Sequence, residues 1–312
     1  MSLSSLIFAL LLEQLYPLSS HRYLQEWLLG YAGFFRNRFN AGERRQGTIA
    51  WMLAVLPITI AAIGMFRMLG HGLHPAFAWA FDVMVLYLTM GFRKFSHYFT
   101  DIQHALQHDR LEEARGLLVR WSGIEAHQLN EEAVARISIE QALIATQRNV
   151  FGILFWFMLF GVLGLGGAGG ALLYCISQYL RGNWSGEEQG MPEFGRFARQ
   201  AFHILEWLPV RFTAMTFAIV GNFEDTVYCW RTQANGWDDP DTGILLASGA
   251  GALGVRLGMP IQQGGMPVDR PELGTGEEAG ADFMQSAIGL VWRSVVFWTL
   301  LLLLLTLANW LG

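Results

Sequence analysis

Four polar side chains recur along one face of a predicted amphipathic helix. His97, Asp101, His104 and His108 follow one another at helical spacing. Histidine and carboxylate ligands spaced in this way can hold a divalent metal ion. The H-E-x-x-H pattern is absent, however, and a single helix rarely supplies a complete ligand shell. A solvent-exposed polar stripe is therefore the simpler interpretation of these residues.

Two carboxylates interrupt otherwise apolar segments. Asp82 lies within residues 75–92, and Glu13 lies near the end of residues 3–18. An ionisable side chain inside a membrane segment is costly, and by default it indicates a functional site. For Asp82 there are two structural alternatives, which are pairing with an arginine and capping a broken helix.

A compact charged cluster follows later in the chain, in residues 206–211. It contains Glu206, Trp207, Pro209 and Arg211. Proline removes a backbone donor and clashes with the preceding turn, so Pro209 is predicted to interrupt the helix. A charged segment of this kind at a membrane boundary often lines a cavity. Structural and functional interpretations both remain open.

Residues 249–258 are rich in glycine and contain Arg256. Backbone N–H groups and an arginine can together cradle a phosphate group. The phosphate-binding pattern G-x-x-x-x-G-K-[ST] is absent, so a helix of small residues is the preferred interpretation.

A turn that begins at Asn235 precedes this segment. Three carboxylates follow it, at Asp238, Asp239 and Asp241. Carboxylates are the usual protein ligands of Mg²⁺, so these residues are weak candidates for a metal site. An exposed acidic loop is the alternative.

The elements that must position these residues are membrane helices. The chain is 53% hydrophobic and 15% charged, whereas soluble domains carry about 25% charged residues. Residues 46–66, 149–180 and 294–312 contain no charge, and each is long enough to cross a bilayer. The net charge of −5 gives no basic field for nucleic acid. We therefore expect a polytopic, all-α protein in a lipid bilayer.

The number and orientation of the segments follow from glycine and arginine. Glycines divide residues 149–180 into two segments, about 149–164 and 168–181. With the weaker apolar segments, about five or six membrane segments are expected. Basic residues concentrate in 19–45 and 93–148, which places both in the cytoplasm.

These features divide the chain into five parts. They are N-terminal membrane segments with a basic cytoplasmic loop (1–92), cytoplasmic amphipathic helices (93–148), a membrane hairpin with a proline-broken segment (149–223), an acidic Gly/Pro-rich loop (224–286) and a C-terminal membrane helix (287–312). Within the second part, a turn near Ser122 and Gly123 separates two helices, and the second helix starts near Asn130.

Several stretches occur in an order that resembles the CobD/CbiB family. They are residues 111–115, 139–140, 154–156, 172–174, 207–214 and 251–258. The resemblance implies an adenosylcobinamide-phosphate synthase of the bacterial inner membrane. Such an enzyme joins adenosylcobyric acid, a corrinoid, to aminopropanol or its phosphate through an amide bond, with ATP and Mg²⁺.

The resemblance also implies roles for particular residues. Glu140 and Glu206 are the catalytic candidates, with Glu140 placed to bind Mg²⁺ or the substrate amine. The candidates for binding phosphate or substrate are Trp207, Arg211, Asn235 and Arg256.

The same stretches are similar to AmpE, a membrane modulator associated with β-lactamase induction that belongs to the same superfamily. Residues 12–15 followed by His21 resemble the start of AmpE, and residues 140–143 resemble it as well. The G-D-P…H-P start of the synthases is absent.

The departures from the synthase pattern concern acidic positions. Ile144, Ala145 and Arg148 stand where that pattern has Glu, Asn and Asp, and residues 178–183 replace an N-T-x-D-S-M stretch. Phe202 and His203 replace a D-D pair, and Glu206 replaces an Asn. Because acidic side chains are the usual Mg²⁺ ligands, these losses should disable the site.

The leading hypothesis is therefore a non-catalytic or repurposed, AmpE-like inner-membrane protein with a membrane or signalling partner. The alternative is a divergent adenosylcobinamide-phosphate synthase in cobalamin biosynthesis.

Overall fold

The computed structural model describes residues 2–15, 21–40, 44–184, 192–263 and 266–311. The described part is predominantly α-helical, as the composition predicts. It also contains a few short strands, which the expectation of an all-α protein did not include. The helices are α1 (Ser2–Leu15), α2 (His21–Phe39), α3 (Arg44–Gly72), α4 (Pro75–Thr89), α5 (Phe92–Gln107), α6 (Leu111–Ser122), α7 (Glu131–Thr146), α8 (Gly152–Val162), α9 (Gly167–Trp184), α10 (Pro192–Val220), α11 (Phe223–Gln233), α12 (Pro240–Leu253) and α13 (Ala281–Leu311).

A π-helical turn, Gln147–Phe151, connects α7 to α8, and a 3₁₀ turn, Ala234–Gly236, lies between α11 and α12. The strands are β1 (Val255–Gly258), β2 (Ile261–Gln263), β3 (Met266–Val268), β4 (Glu272–Leu273) and β5 (Glu277–Glu278). The chain divides into two compact units.

The first unit comprises Met1–Met90, Arg148–Pro209 and Leu302–Gly312. Within it, α3 packs against α4 and α9, α8 packs against α9, and α1 packs against α4. Its core is built from alanines, larger aliphatic residues and aromatic residues, which are Ala32, Ala50, Trp51, Ala54, Val55, Ile176, Leu180, Trp184, Phe194, Ala198 and Ala201. Small residues allow helices to approach closely where lipid provides no hydrophobic driving force.

A glycine-rich break separates α8 from α9 in this unit. Gly164 and Gly166 have φ values of 70° and 85°, in the left-handed region that favours glycine. A Cβ atom at Gly170 would lie 2.1 Å from the carbonyl oxygen of Trp156, so glycine is required for the close packing of α8 on α9. The expected division of residues 149–180 into two segments is confirmed.

The second unit comprises Gly91–Gln147 and Val210–Leu301. Here α7 packs against α5, α6, α12 and β1, and α11 packs against α12. Strand β1 lies between β4, which is antiparallel to it, and β5, which is parallel. Strands β2 and β3 form a separate antiparallel pair.

The residues that were predicted to end α6 and to begin α7 are found at those helix boundaries. Helix α6 ends at Ser122, and Gly123 follows with φ 71°, as is common at helix C-termini. The side chain of Asn130 accepts a hydrogen bond from Ala133 N and caps α7. Both helix boundaries are confirmed.

The loop expected at residues 224–286 is instead largely ordered into helices and strands, so that prediction was wrong. The helix of small residues expected over 249–258 is only half correct, since α12 ends at Leu253. Gly254 adopts φ 66° and terminates the helix. Buried Val255 and Leu257 then alternate with the partly exposed Arg256 as strand β1.

The predicted interruption at Pro209 is also wrong, because α10 continues through it from Pro192 to Val220. A single proline removes one backbone hydrogen bond, and local adjustment lets a long helix continue past it. Pro57 lies inside α3 in the same manner.

Three helices are long and apolar enough to cross a membrane, by length and composition: Arg44–Gly72, Glu131–Val162 and Ala281–Ala308. The second joins α7 to α8, whereas the sequence placed the membrane boundary near residue 149. Helices α1 and α4 contain shorter apolar stretches. The count of five or six segments and the cytoplasmic location of 93–148 remain predictions.

Candidate functional site

A buried ion pair connects α7 to the strand region of the second unit. Glu140 is 1% exposed. Its Oε1 accepts a hydrogen bond from Gly258 N at 2.8 Å, and its Oε2 accepts one from Arg270 Nη1 at 2.8 Å. A buried carboxylate is tolerated when both oxygens are paired in this way. Glu140 therefore uses both carboxylate oxygens to fix the end of β1.

Arg270 is the centre of this arrangement. Its Nε donates to the carbonyl of Met259 at 3.2 Å, and its Nη2 donates to the carbonyl of Gly258 at 3.1 Å. Its guanidinium also lies 5.3 Å from the ring centroid of Trp237. Arg270 is not among the residues predicted from the sequence, because no motif pattern surrounds it.

The backbone that Arg270 holds is strained. Gly258 has φ 77°, and a Cβ atom there would lie 2.0 Å from the carbonyl oxygen of Pro271. Met259, which is not glycine, has φ 67°. For a residue other than glycine, such a conformation costs about 1–3 kcal/mol and persists where the surroundings over-determine it. The hydrogen bonds that Arg270 donates and the one that Glu140 accepts supply that restraint.

Two carboxylates converge at the start of α12, and they are among the predicted metal ligands. Carboxylate oxygens of Asp239 and Asp241 lie within 4.8 Å of each other. Asp241 is 1% exposed and accepts a hydrogen bond from Arg211 Nη1 at 3.0 Å. Thr242 Oγ1 donates to Asp239 at 2.7 Å. Asp238 is exposed.

Arg256 and Asn235 are the other predicted phosphate-binding residues of this unit. Arg256 lies on β1 and forms ion pairs with Glu272 at 3.5 Å and Glu278 at 3.2 Å. Asn235 is exposed in the 3₁₀ turn. Their roles in binding phosphate or substrate remain predictions.

Glu206 and Trp207 belong to the first unit. Trp207 is 48% exposed on α10. Glu206 is buried, and two arginines approach it, Arg148 at 3.7 Å and Arg181 at 3.6 Å. The hydroxyl of Tyr174 donates to Glu206 at 3.5 Å. Glu206 is therefore the shared carboxylate partner of two partly buried arginines.

This cluster bears on the departures from the synthase pattern. Arg148 and Arg181 both stand at positions where that pattern has Asp, and both pair with the Glu that stands in place of Asn. Two arginines share a single carboxylate here. The net positive charge repels a divalent cation, so these residues do not fit a magnesium site. The altered positions instead form ion pairs with one another.

For Asp82, the sequence left two structural alternatives, pairing with an arginine and capping a broken helix, and the structure supports capping. Asp82 is 4% exposed, and its carboxylate accepts hydrogen bonds from Gly167 N at 3.3 Å and Ala168 N at 2.9 Å. These amides begin α9, so Asp82 caps a broken helix. Glu13 is likewise buried, at 7% exposure.

The histidine stripe lies on and just after α5 and is exposed. Arg110 Nη2 lies 3.0 Å from His104 Nδ1, which places a positive charge beside a presumed ligand atom. Among the residues that the structure describes, the stripe brings no three metal-ligand atoms together. This supports the interpretation as a solvated polar face.

Comparison with known proteins gives consistent relatives. The family model described as CobD/Cbib protein matches residues 6–291. The cobalamin biosynthesis protein CobD of Stutzerimonas stutzeri is 36% identical over 86% of this chain and 85% of its own length. CobD of Chromobacterium violaceum is 33% identical over 83% and 79%. The cobalamin biosynthesis protein CbiB of Salmonella typhimurium is 26% identical over 80% and 78%. No solved structure matches the chain.

Proposed function

The chain belongs to the CobD/CbiB family, and from that premise we propose that it is a membrane enzyme of cobalamin biosynthesis. Its reaction joins the carboxyl group of adenosylcobyric acid to the amine of aminopropanol phosphate, or of aminopropanol, through an amide bond. The relatives are named for cobalamin biosynthesis, which favours this reaction over the AmpE-like signalling role.

One observation of the structure carries the proposal. Glu140 and Gly258 lie in two of the stretches that resemble the family, 118 residues apart, and they are joined by a hydrogen bond of 2.8 Å. Arg270 binds both ends of that contact. A strained backbone that is held in place beside two motif segments is typical of a functional site, because strained residues cluster at such sites.

Among the described residues, Asp239 and Asp241 form a location that fits Mg²⁺ and the phosphates of ATP. Mg²⁺ is commonly held by one or two carboxylates together with substrate phosphates, and Asp239 and Asp241 supply such a pair. Bound there, the metal would neutralise phosphate charge, as expected for acyl activation. Arg211 holds Asp241 in orientation. The Glu206 cluster does not fit this role.

We also propose that the chain is a multi-pass protein of the bacterial inner membrane. The three apolar helices support insertion into a bilayer. The basic segments 19–45 and 93–148 favour the cytoplasmic side, where nucleotide is available.

Complementation in a bacterium that lacks its own synthase tests the reaction. We expect the intact chain to permit cobalamin-dependent growth on cobyric acid, without added cobinamide. Growth that still requires cobinamide, from a chain shown by immunoblot to be in the membrane, would overturn the proposal.

Two pairs of variants sharpen this test. Asp241→Asn should lower growth strongly, because it removes a carboxylate from the candidate metal pair, whereas Asp282→Asn changes an exposed carboxylate and should not. Glu140→Gln should impair growth, and the exposed Glu132→Gln on the same helix serves as its control. Equal growth of all four variants would contradict the assigned site.

A further inference from the structure

A cavity of about 540 Å³ opens beside the N-terminus of α7. Its lining includes Glu125, Gln128, Asn130, Arg136 and Met259. One side of the cavity is therefore the start of a helix, and the other is the strained segment that follows β1. The volume lies in the range of small-molecule sites.

Arg136 is the basic group of this cavity, and its hydrogen bonding is incomplete. Nη1 donates to the thioether sulfur of Met259 at 3.0 Å, and a thioether is a weak acceptor. Nε is buried and has no hydrogen-bond partner among the described residues. That atom is shielded from the cavity, but the Arg136 side chain is partly exposed and lies on the cavity lining. Its terminal N–H groups are therefore suited to a ligand that supplies acceptor oxygens.

The nearest carboxylate on the same helix does not satisfy Arg136. Glu140, one turn further along α7, gives its two oxygens to Gly258 and Arg270. Among the described residues, no carboxylate forms a salt bridge with Arg136 within the 4.0 Å limit. The start of α7 adds the positive end of a helix to the same region.

The cavity also has an acidic side. Glu125 is exposed and lies on its lining. A ligand that carries an ammonium group as well as an anionic group would match both charges. Phosphate monoesters suit arginine well, because its N–H groups form charge-assisted hydrogen bonds to phosphate oxygens.

We propose that this cavity binds a small amino phosphate, with the phosphate group on Arg136 and the ammonium group toward Glu125. The choice of an amino phosphate rests on the proposed function, whereas the assignment of the cavity rests on Arg136 and the lining. Glu140 and Arg270 are positioning residues for this site, because they hold the Met259 backbone that forms its wall.

Calorimetric binding to the detergent-solubilised full-length chain tests the assignment. The probes are aminopropanol phosphate, aminopropanol and inorganic phosphate. We expect aminopropanol phosphate to bind more tightly than either partial ligand. Arg136→Gln should weaken that binding by about tenfold or more, and Arg136→Lys should restore part of it. Glu125→Gln should weaken binding of aminopropanol phosphate but not of inorganic phosphate.

The exposed Arg120→Gln variant on α6 is the matched control and should bind like the unmodified chain. Unchanged affinity in a folded Arg136→Gln variant would overturn the cavity assignment, even if complementation succeeds. Arg136-dependent binding with failed complementation would support the cavity and reject the amide-forming reaction. If Arg136→Gln does not fold, a Met259→Leu variant, which removes the sulfur acceptor beside Arg136, must alter affinity, and unchanged binding would overturn the proposal.

Discussion

Each oxygen of the Glu140 carboxylate accepts a hydrogen bond, and the side chain is 1% exposed. A carboxylate with both oxygens paired contributes to the site by fixing the positions of Gly258 and Arg270. Removing one partner of a buried ion pair leaves the other charge buried and unpaired, which is why such changes are costly.

Glu140→Ala should accordingly destabilise the chain by about 3–5 kcal/mol, because Arg270 would lose its carboxylate. Thermal unfolding of the purified protein in detergent measures the effect. Glu132→Ala, at an exposed position of the same helix, should shift the midpoint little. Matching midpoints for the two variants would contradict the role given to the Glu140–Arg270 pair.

Asp82 offers a second prediction at the level of a residue. Asp82→Ala should lower the free energy of unfolding by about 1–2 kcal/mol, because the first amides of α9 lose their acceptor. Asp82→Asn keeps an acceptor oxygen and should lose less. Denaturation in detergent compares the two, and a larger loss in the Asn variant would refute the capping role.

At the scale of elements, glycine conformation decides how β1 begins and ends. Gly254 and Gly258 both have positive φ, but only a Cβ at Gly258 would collide with backbone. We expect Gly258→Ala to destabilise the chain markedly and to abolish complementation.

Gly254→Ala is the natural comparison, since it introduces backbone strain into open space. It should cost about 1 kcal/mol, the usual penalty for a side chain in the left-handed region. Similar losses for the two variants, measured by thermal unfolding, would show that the contact with Pro271 is unimportant.

Local signals explain which elements the sequence predicted well. The break before α9 follows from clustered glycines, and the start of α7 follows from Asn130, whose side chain caps the helix. Pro209 misled the prediction, because a long helix can absorb one proline. Strand β1 was missed, since its pairing with β4 and β5 depends on residues further along the chain.

The candidate site also depends on contacts between residues that are far apart in sequence, which local patterns do not predict. Resemblance to a family identified Glu140, but not its partner Arg270, which lies 130 residues away in sequence. Likewise, the sequence showed arginine at acidic positions, and only the fold shows that Arg148 and Arg181 share Glu206. Compensation between distant positions has no local signature.

For the whole molecule, the orientation in the membrane is the prediction to test. In a chain with Cys175 and Cys229 replaced by Ser, His71→Cys should react with an impermeant maleimide in intact spheroplasts. Residue 71 follows the charge-free segment 46–66, which leads away from the basic segment 19–45, so residues 67–74 are predicted to face outward. Glu112→Cys should react only in inverted vesicles, because residues 93–148 are predicted to be cytoplasmic. Both positions are exposed, so the reverse pattern would mean that the orientation is inverted.

The cap that Asp82 provides has a consequence for biosynthesis. Helix α4 leaves the ribosome well before Gly167 and Ala168, the residues that satisfy its carboxylate. Until those residues are made, the growing chain holds an aspartate in an apolar helix without its partners, which is unfavourable in lipid. We predict that α4, one of the two shorter apolar helices, completes its insertion only when α9 has been made. Chains truncated before residue 167 should then be retained by the translocon or degraded.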